Sequence, residues 1–366
     1  MQKIKICHVT SVHPYKDGRI FRKECQSLAK KYDVSLIAPN VESKEEDGIH
    51  IYGIGLPKER LKRMRNLDIV FRKMIEVNAE VYHFHDPELI PLGIKAKKLG
   101  KKVIFDSHED VPLQITEKDW IPKPLRKLAS SAYRKYEEGK LQHYDALVSV
   151  TPSIVDRLKG CNPNTYQITN YPILKEFKDN RLWQNSICFT GGVSAQWLHH
   201  NVIKSIEDVD VKYVVAGIVE GGYLNELKSL PAWDKVDYKG VVTPEEVSKI
   251  QKNSFAGIAL NDYVANVGFK LGSLGNTKLF EYMMSGIPVI ATDFILWKEI
   301  IDKYECGICV NPQDVKAIRD AIVFLMDNPE EAKRMGDNGR KAVQEQYNWS
   351  SQECILFDMY DKVLNL

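Results

Sequence analysis

The sequence predicts an α/β protein made of two Rossmann-like domains, each built on a doubly wound parallel sheet, that face a cleft. Short apolar segments alternate with helical patterns through most of the 366 residues. The alternation stops near Asn170-Tyr171-Pro172, gives way to a polar stretch at 175–185 and begins again at residue 187. A chain of this length accommodates two domains of ordinary size, so the break predicts an interdomain linker.

The first half alternates between predicted strands and predicted helices. Helical patterns cover residues 20–31, 58–73, 88–99 and 118–140, and Thr151-Pro152-Ser153 is a typical helix start. The apolar segments that predict parallel strands lie at 4–9, 34–38, 49–54, 81–83, 103–105, 146–150 and 166–168.

The second half repeats the pattern, beginning with a strand at 187–190 that runs into the turn Gly191-Gly192. Further strands are predicted at 211–216, 236–238, 256–260, 288–292 and 307–310. The chain closes with helical patterns at 313–346 and 350–364, and the last helix is expected to pack back on the first domain. The predicted domains are 1–174, joined by the C-terminal helix at 350–366, and 186–349.

The net charge of +2 conceals an asymmetry between the two halves. Residues 1–180 carry 32 Lys and Arg against 24 Asp and Glu, a balance of +8, and the remainder carries −6. Much of the excess lies in the helical segments 58–73 and 118–140. Nucleic acid is not expected as a partner, because neither zinc-finger spacing nor an aromatic-rich basic segment accompanies the charge.

The first basic segment has an apolar side as well. Leu61, Met64 and Val70 fall near one side of the predicted helix, while the basic residues crowd the other. This pattern is typical of a helix that lies on an anionic membrane surface. A solvated helix face is the equally weighted alternative.

Several classes of protein are disfavoured by what the sequence lacks. It has no apolar stretch of about 18 residues, no G-x-G-x-x-G after the first strand, no phosphate-binding P-loop and no G-x-S-x-G. Its seven cysteines are scattered, and the pair Cys306 and Cys309 has no second pair to complete a zinc site. We expect a cytoplasmic protein that does not use hydride transfer or P-loop chemistry.

Polar residues at the ends of predicted strands carry the functional signal. These segments resemble the group 1 retaining nucleotide-sugar glycosyltransferases of the GT-B fold, and the resemblance covers nearly the whole chain. The most specific segment joins Lys278 and Glu281 to a small turn and a buried strand. The segments are Asp17-Gly18-Arg19-Ile20-Phe21-Arg22-Lys23-Glu24, His85-Asp86-Pro87-Glu88, Asp106-Ser107-His108-Glu109-Asp110 and residues 276–291.

The resemblance implies a donor site in the second domain. Glu281 would clasp both ribose hydroxyls, since one carboxylate accepts two hydrogen bonds; a charge that only stabilises the helix dipole is the alternative. The turn at Gly191 and Gly192 would offer backbone amides to the diphosphate. Backbone groups in later loops would hold the nucleobase, namely those of Gly217, Gly240 and Val241.

Two positions depart from the family pattern. Trp197 stands where members commonly carry an Arg that meets the diphosphate, and Lys204 lies near the position of the following Lys. Ser273 stands where the first of two glutamates usually serves the transferred sugar. Lys270 and Lys278 are the nearest cations that would compensate. These departures keep a non-catalytic paralogue, acting as a binding or activating partner, open as an alternative.

The resemblance also implies catalytic residues and residues on the acceptor or phosphate side. The His108 imidazole would orient an acceptor hydroxyl or stabilise charge, and the alternative is a histidine that bonds backbone at a strand end. No metal is expected, because His83-x-His85 has no third ligand at a diagnostic spacing. The residues with implied catalytic roles are His108, Ser273 and Lys278, and those on the acceptor or phosphate side are Asp17, Gly18, Arg19 and Glu109. Arg19 capping its own helix is the alternative for that residue.

The resemblance implies a retaining, metal-independent hexosyltransferase that uses a UDP- or GDP-sugar and needs no cofactor. The acceptor would be a hydroxyl of a glycan or lipid-linked molecule in bacterial surface polysaccharide synthesis, such as capsule or O-antigen. Domain 1–174 would bind this acceptor and domain 186–349 the nucleotide sugar. The protein is expected in the cytoplasm, at the inner face of the membrane. A nucleotide-sugar epimerase or hydrolase on the same architecture is a further alternative.

Overall fold

The computed structural model describes residues 3–176, 182–219 and 221–366. It forms two compact units, Met1–Asn170 with Trp349–Leu366, and Tyr171–Asn348. Part of the predicted linker, residues 177–181, lies outside the described residues. Each unit is an α/β layer structure around a mostly parallel sheet, so the predicted fold class is confirmed.

The sheet of the first unit has the order β3-β4-β2-β1-β5-β6-β7-β8. Its strands are β1 (Lys5–Val9), β2 (Asp33–Pro39), β3 (Lys44–Glu46), β4 (Ile49–Ile54), β5 (Val81–Phe84), β6 (Lys102–Ser107), β7 (Ala146–Ser149) and β8 (Thr165–Gln167). The sheet is parallel, as predicted, except at one edge, where β3 pairs antiparallel with β4. β3 consists of charged residues and buries no apolar side chain, so hydrophobic patterning does not reveal it.

The helices of the first unit follow the predicted order with altered boundaries. The predicted helix 20–31 is a π-helix at Ile20–Cys25 followed by a short α-helix, and 3-10 geometry at Pro87–Leu89 precedes the helix expected at 88–99. The helix predicted over 118–140 begins only after Pro122, because proline disfavours helical geometry in the residue before it. The α-helices are α1 (Gln26–Leu28), α2 (Arg60–Arg65), α3 (Leu67–Val77), α4 (Ile90–Lys98), α5 (Val111–Ile115), α6 (Lys123–Leu141) and α7 (Pro152–Lys159).

The sheet of the second unit is entirely parallel, with the order β11-β10-β9-β12-β13-β14. Its strands are β9 (Gln184–Thr190), β10 (Lys212–Ala216), β11 (Val236–Gly240), β12 (Ser254–Ala259), β13 (Val289–Thr292) and β14 (Gly307–Val310). Its α-helices are α8 (His199–Ser205), α9 (Tyr223–Lys228), α10 (Pro244–Asn253), α11 (Lys278–Ser285), α12 (Ile295–Tyr304), α13 (Val315–Asp327) and α14 (Pro329–Glu345). Short 3-10 turns lie at Ala195–Trp197, Pro231–Lys235, Ala265–Val267 and Phe269–Leu271.

Helices cover both faces of each sheet. Along a strand, successive side chains point to opposite faces, and here both sets are mostly apolar, with the buried His8 of β1 and His83 of β5 as exceptions. In β1, Ile6 belongs to one buried cluster and Cys7 to the other. In β9, Ile187 and Cys188 divide in the same way. The buried clusters therefore occupy the faces of the sheets, and polar groups gather at the strand ends.

The C-terminal helix α15 (Trp349–Leu364) belongs to the first unit. Trp349 Nε1 donates a hydrogen bond to Ser27 Oγ at 2.9 Å, and Gln352 Oε1 accepts one from the Thr169 backbone N–H at 2.8 Å. Leu356 and Tyr360 are fully buried in the cluster that also contains Ile6. The helix thus supplies core to a sheet that the chain left about 180 residues earlier.

No helix among the described residues is long and apolar enough to cross a membrane.

Removing buried volume from α15 is expected to destabilise the first unit. Leu356→Ala should lower its free energy of unfolding by about 2–5 kcal/mol, because the side chain is buried and the cavity cannot fully collapse. Urea unfolding followed by circular dichroism measures the loss. Cys354→Ala, at an exposed position of the same helix, is the control and should change little. Equal urea midpoints for the two variants would contradict this packing.

Candidate functional site

The first unit carries a buried polar cluster near the carboxyl ends of three adjacent strands. β1 contributes His8, β5 leads to His85, and β6 contributes Asp106. The π-helix adds Arg19, its N-terminal flanking residue, and Glu24. All five side chains are buried, so their interactions with one another decide their charge states.

Arg19 is held by other groups of the first unit. Its Nε donates to Asp106 Oδ2 at 2.7 Å and lies 3.1 Å from Glu24 Oε1, and its Nη1 donates to the Ile168 carbonyl at 2.8 Å. Burial by itself raises the pKa of Asp106, but the charges of Arg19 and His108 outweigh it, and the pKa lies well below the ordinary value. The Arg19 side chain does not cap its own helix. The Asp17 carboxylate does so instead, accepting from the backbone N–H of Arg19 and Ile20.

His108 joins this cluster at its more exposed side. Its Nε2 lies 3.2 Å from Asp106 Oδ2 and 3.2 Å from His85 Nδ1. Burial lowers the pKa of His85 to about 4, against the opposing effect of Asp106. His108 therefore interacts with side chains, unlike the alternative in which it bonds only backbone.

His13 is a site residue that the sequence analysis missed. Its ring stands 4.9 Å from that of His108, and its nitrogens lie 3.5 Å from carboxylate oxygens of Asp17 and Asp86. Burial lowers the pKa of His13. The hydrogen bond to Asp17 and the charges of the nearby carboxylates raise it by more, so the pKa of His13 lies above its ordinary value. The sequence feature that could have indicated His13 is its position in the loop after β1, because α/β sheets commonly bind ligands in the loops after their strands.

The other predicted residues of the first unit are at the surface. Glu109 is exposed, and its carboxylate accepts a hydrogen bond from the Gln114 amide. Gly18 is also exposed, and a Cβ atom there would meet nothing within 4 Å. Packing therefore imposes no requirement for glycine at this position.

In the second unit, three predicted glycines lie side by side at the ends of β9, β10 and β11. Gly191 N–H donates to the Ala216 carbonyl at 2.8 Å, and Gly217 N–H donates to the Gly240 carbonyl at 2.7 Å. Gly191 and Gly217 have φ of 151° and 147°, which L side chains rarely adopt. A Cβ on Gly217 would stand 1.7 Å from the Gly191 carbonyl oxygen. This glycine edge, Gly191, Gly217 and Gly240, therefore brings the ends of β9 and β10 closer than larger residues allow, whereas a Cβ on Gly240 would meet nothing within 4 Å.

Helix α11 places two predicted residues beside the glycine edge. A Cβ on Gly191 would lie 2.5 Å from Lys278 Cε and 2.8 Å from its Nζ. Lys278 Nζ donates to Glu281 Oε2 at 3.1 Å, and Thr277 Oγ1 donates to Glu281 Oε1 at 2.6 Å. The Glu281 side chain is 32% exposed, so its carboxylate is held in place and remains accessible.

Other predicted donor-site residues have different surroundings. Ser273 Oγ accepts from the Gly275 N–H, and its carbonyl accepts from Trp297 Nε1, so it shapes the turn before α11. Lys270 Nζ bonds Asp293 Oδ2 at 2.9 Å and Tyr263 Oη at 3.0 Å.

The remaining predicted positions of this unit lie outside such networks. Lys204 is exposed in the last turn of α8, and its charge contributes to lowering the pKa of His200, after the larger effect of burial. Gly192 has open space where a Cβ would project, and Val241 is largely exposed. Trp197 packs its ring 5.1 Å from Phe189, an apolar role that an Arg would not fill.

Family models match both halves of the chain. Residues 174–342 match the family model described as glycosyl transferases group 1, and residues 18–167 match the one described as Glycosyltransferase Family 4. Both models describe glycosyltransferases, and together they span most of the chain.

A curated relative shares a short segment with this chain. It is the MMP alpha-(1->4)-mannosyltransferase of Mycolicibacterium hassiacum, 33% identical over 85 residues. That match covers 23% of this chain and about a fifth, 21%, of the relative's own length.

Solved structures match over nearly the whole chain. Sucrose-phosphate synthase from Thermosynechococcus elongatus superimposes with a TM-score of 0.75 at 14% identity, covering 99% of this chain and 100% of that one. Anabaena Alr3699/HepE in complex with UDP-glucose gives 0.71 at 11% identity, covering 98% and 99%. At these identities the likeness concerns the fold, and the predicted GT-B class of fold is confirmed.

Adding a side chain at the close approach of Gly217 to Gly191 is expected to destabilise the second unit. Gly217→Ala should lower its free energy of unfolding by about 2 kcal/mol or more, because the new Cβ meets a backbone carbonyl and the φ angle is unfavourable. Gly192→Ala, whose Cβ has open space, should change it by less than about 1 kcal/mol. Thermal unfolding of both variants measures the difference, and equal losses would show that the close approach at Gly217 is not limiting.

Proposed function

We propose that this chain transfers a hexosyl group from a UDP- or GDP-sugar to a hydroxyl of a glycan or lipid-linked acceptor, with retention of configuration. The observation that carries the proposal is the grouping of Glu281, Lys278 and the glycine edge at the carboxyl end of one parallel sheet. Sheets of this kind bind ligands at that end. The Mycolicibacterium relative is named a mannosyltransferase and the Anabaena structure holds UDP-glucose, which favours a hexose donor.

Each part of a nucleotide sugar has a complementary group in the second unit. The accessible Glu281 carboxylate accepts hydrogen bonds from the two ribose hydroxyls. Lys278 supplies a positive charge directly against Gly191, because its ammonium group occupies the space into which a Cβ at that position would project. A diphosphate at this turn would meet that charge. The base would lie against the backbone at Gly217 and Gly240.

The electrostatic demand of the reaction falls on the leaving diphosphate. Retaining transfer passes through an oxocarbenium-like state while negative charge grows on the diphosphate, and fixed cations and amides stabilise that charge. We propose that Lys278 and the backbone amide of Gly192 perform this task without a metal ion, since the Gly191 N–H is already bonded to the Ala216 carbonyl. Ser273 would then contact the sugar at the turn before α11, where its backbone carbonyl is already held by Trp297.

We assign acceptor binding to the first unit. His13 and His108 are the partly exposed imidazoles beside the buried polar cluster, with side chains 28% and 19% exposed, and carboxylates stand beside both. A carboxylate-oriented imidazole is suited to hydrogen bonding with an acceptor hydroxyl. The positive charge of residues 1–180 would attract an anionic lipid-linked acceptor.

Association with the inner face of the membrane forms a separate part of the proposal, and a cytoplasmic location goes with it. α2 is amphipathic in an unusual way, because its apolar residues face solvent together with its basic ones. Leu61 is 74% exposed and Met64 47% exposed, while Lys62 and Arg65 lie on the same short helix. Trp120, just before α6, is 76% exposed. Such side chains enter the headgroup region of anionic membranes.

Nucleotide binding provides the first test. In calorimetric titration with UDP, GDP and their common sugar conjugates, with chelator present, we expect saturable binding of the nucleotides of one base. Glu281→Ala should weaken binding at least about tenfold, because two hydrogen bonds to a charged acceptor are lost. Glu299→Ala, an exposed glutamate of α12, is the matched control and should bind normally.

The outcomes separate the alternatives. No binding of any nucleotide would replace the transferase by a non-catalytic partner protein. Free or isomerised sugar released from the bound donor without an acceptor would indicate a hydrolase or an epimerase. Equal affinities for the Glu281 and Glu299 variants would remove Glu281 from the donor site.

Vesicle sedimentation tests the membrane proposal. The protein should bind phosphatidylcholine vesicles that contain phosphatidylglycerol, and binding should weaken with salt. Lys62→Glu/Arg65→Glu should reduce affinity about 30-fold or more, since each basic residue near the surface contributes about 1 kcal/mol. Lys228→Glu/Lys249→Glu changes the net charge equally on the second unit and should have little effect. Equal binding of both variants, or none by the unaltered protein, would overturn the proposal.

A further inference from the structure

Four buried side chains of the first unit converge on one point, and the proposed transfer reaction does not use them. We call His8, Glu24, His83 and His85 the buried histidine cluster. His8 belongs to β1, Glu24 to the π-helix and His83 to β5, which His85 directly follows. All four are at most 2% exposed, and one potential ligand atom from each lies within 4.8 Å of the others.

The distances among three of these atoms match a metal centre. His8 Nδ1 lies 2.9 Å from His85 Nε2, and Glu24 Oε2 lies 3.8 Å from the first and 3.9 Å from the second. Three atoms at these separations lie on a circle of radius about 2.1 Å, the length of a zinc–nitrogen or zinc–oxygen bond. A single ion at that centre would lie in the plane of the three atoms, so a tetrahedral site with His83 as fourth ligand requires small movements of the ligands.

Two polar atoms of the cluster that face its centre make no well-aligned hydrogen bond among the described residues. These atoms are Oε2 of Glu24 and Nε2 of His83. The other oxygen of Glu24, Oε1, is paired with Arg19 at 3.1 Å, and the Asp106 carboxylate stands beside Glu24. A cation at the centre would use Oε2 of Glu24 and Nε2 of His83 as ligands.

The groups around the cluster orient its ligands in the manner of metal sites. His83 Nδ1 lies 3.0 Å from Tyr360 Oη, so its Nε2 is the nitrogen left for a ligand bond. His85 Nδ1 lies 3.6 Å from Asp106 Oδ2, and a carboxylate behind a histidine strengthens it as a ligand. Arg19 lies 3.1 Å from Glu24 Oε1, the oxygen that the metal would not use.

The arrangement of acidic and basic groups accommodates a cation. Two buried carboxylates, those of Glu24 and Asp106, share a single guanidinium, that of Arg19. A bound cation would offset the proximity of these two carboxylates.

We propose that the buried histidine cluster binds one zinc-type divalent transition metal ion through His8 Nδ1, His83 Nε2, His85 Nε2 and Glu24 Oε2. Three imidazoles and one carboxylate are a suitable four-coordinate set for zinc. The full burial of the ligands makes the site structural: it joins β1, β5 and the π-helix, with Tyr360 of α15 behind it. The sequence analysis expected no metal because it found no third ligand; the fold supplies His8 and Glu24 from distant positions.

Metal analysis of the full chain, purified without chelator, tests the proposal directly. We expect about one zinc per chain by plasma mass spectrometry. Protein stripped under mild denaturation and refolded with Co²⁺ should show the visible absorption of tetrahedral cobalt. Zn²⁺ should also raise the thermal unfolding temperature of the stripped protein, because the ion binds only the folded site.

Variants locate the ion. His83→Gln and Glu24→Gln should each lower zinc affinity by at least about 100-fold, since even a partner that only orients a ligand contributes about 10–100-fold. The control is His199→Gln, which replaces a buried histidine of the second unit that is hydrogen-bonded to Tyr213. This variant should keep one equivalent of zinc per chain.

Two outcomes would overturn the proposal, and neither requires the variants to fold. Folded unaltered protein without bound zinc, unchanged in unfolding temperature and visible spectrum by millimolar Zn²⁺ or Co²⁺, would mean that His8 and His85 share a proton instead. Zinc retained equally by both ligand variants would place it elsewhere. Because metal content is read without a donor, failure here is distinguishable from failure of the proposed transferase.

Discussion

Burial of both faces of each parallel sheet is the constraint on which the other features depend. Because apolar side chains alternate to both sides of strands such as β1 and β9, polar chemistry is largely confined to the strand ends. In the second unit these ends are backbone and glycine, and Lys278 packs directly against Gly191. In the first unit they are filled by charged groups and imidazoles.

Arg19 shows how such a polar cluster is compatible with a core. Its guanidinium bonds Asp106 of β6 and the Ile168 carbonyl, and it lies against Glu24 of its own π-helix. Removing one partner of a buried ion pair costs about 3–5 kcal/mol, because the other charge stays buried without compensation. The same contacts bring Glu24 towards the histidines, so the placement of the proposed metal ligand depends on them.

Hydrophobic patterning predicted the elements whose structure depends on burial of apolar side chains. It did not predict the elements whose structure depends on other contacts. The strand at Ile49–Ile54 has the predicted boundaries, since its apolar residues are core. The charged edge strand β3 and the late start of α6 were missed, because edge pairing and the geometry around Pro122 leave no periodic apolar signal. His13 was missed for a related reason: a loop residue acquires its neighbours only when strands distant in sequence pair.

By itself the sequence determined the alternation of strands and helices, the two-sheet architecture and the motif that joins Lys278 to Glu281, because these features depend on local periodicity and spacing. Only the tertiary structure decided which side chains meet. It paired Arg19 with Asp106, 87 residues away, placed Gly217 against Gly191, and brought His8, Glu24, His83 and His85 within 4.8 Å. Parallel strands connect through long crossovers, so the groups that share a sheet edge are separated in the chain, and no spacing rule reveals their contact.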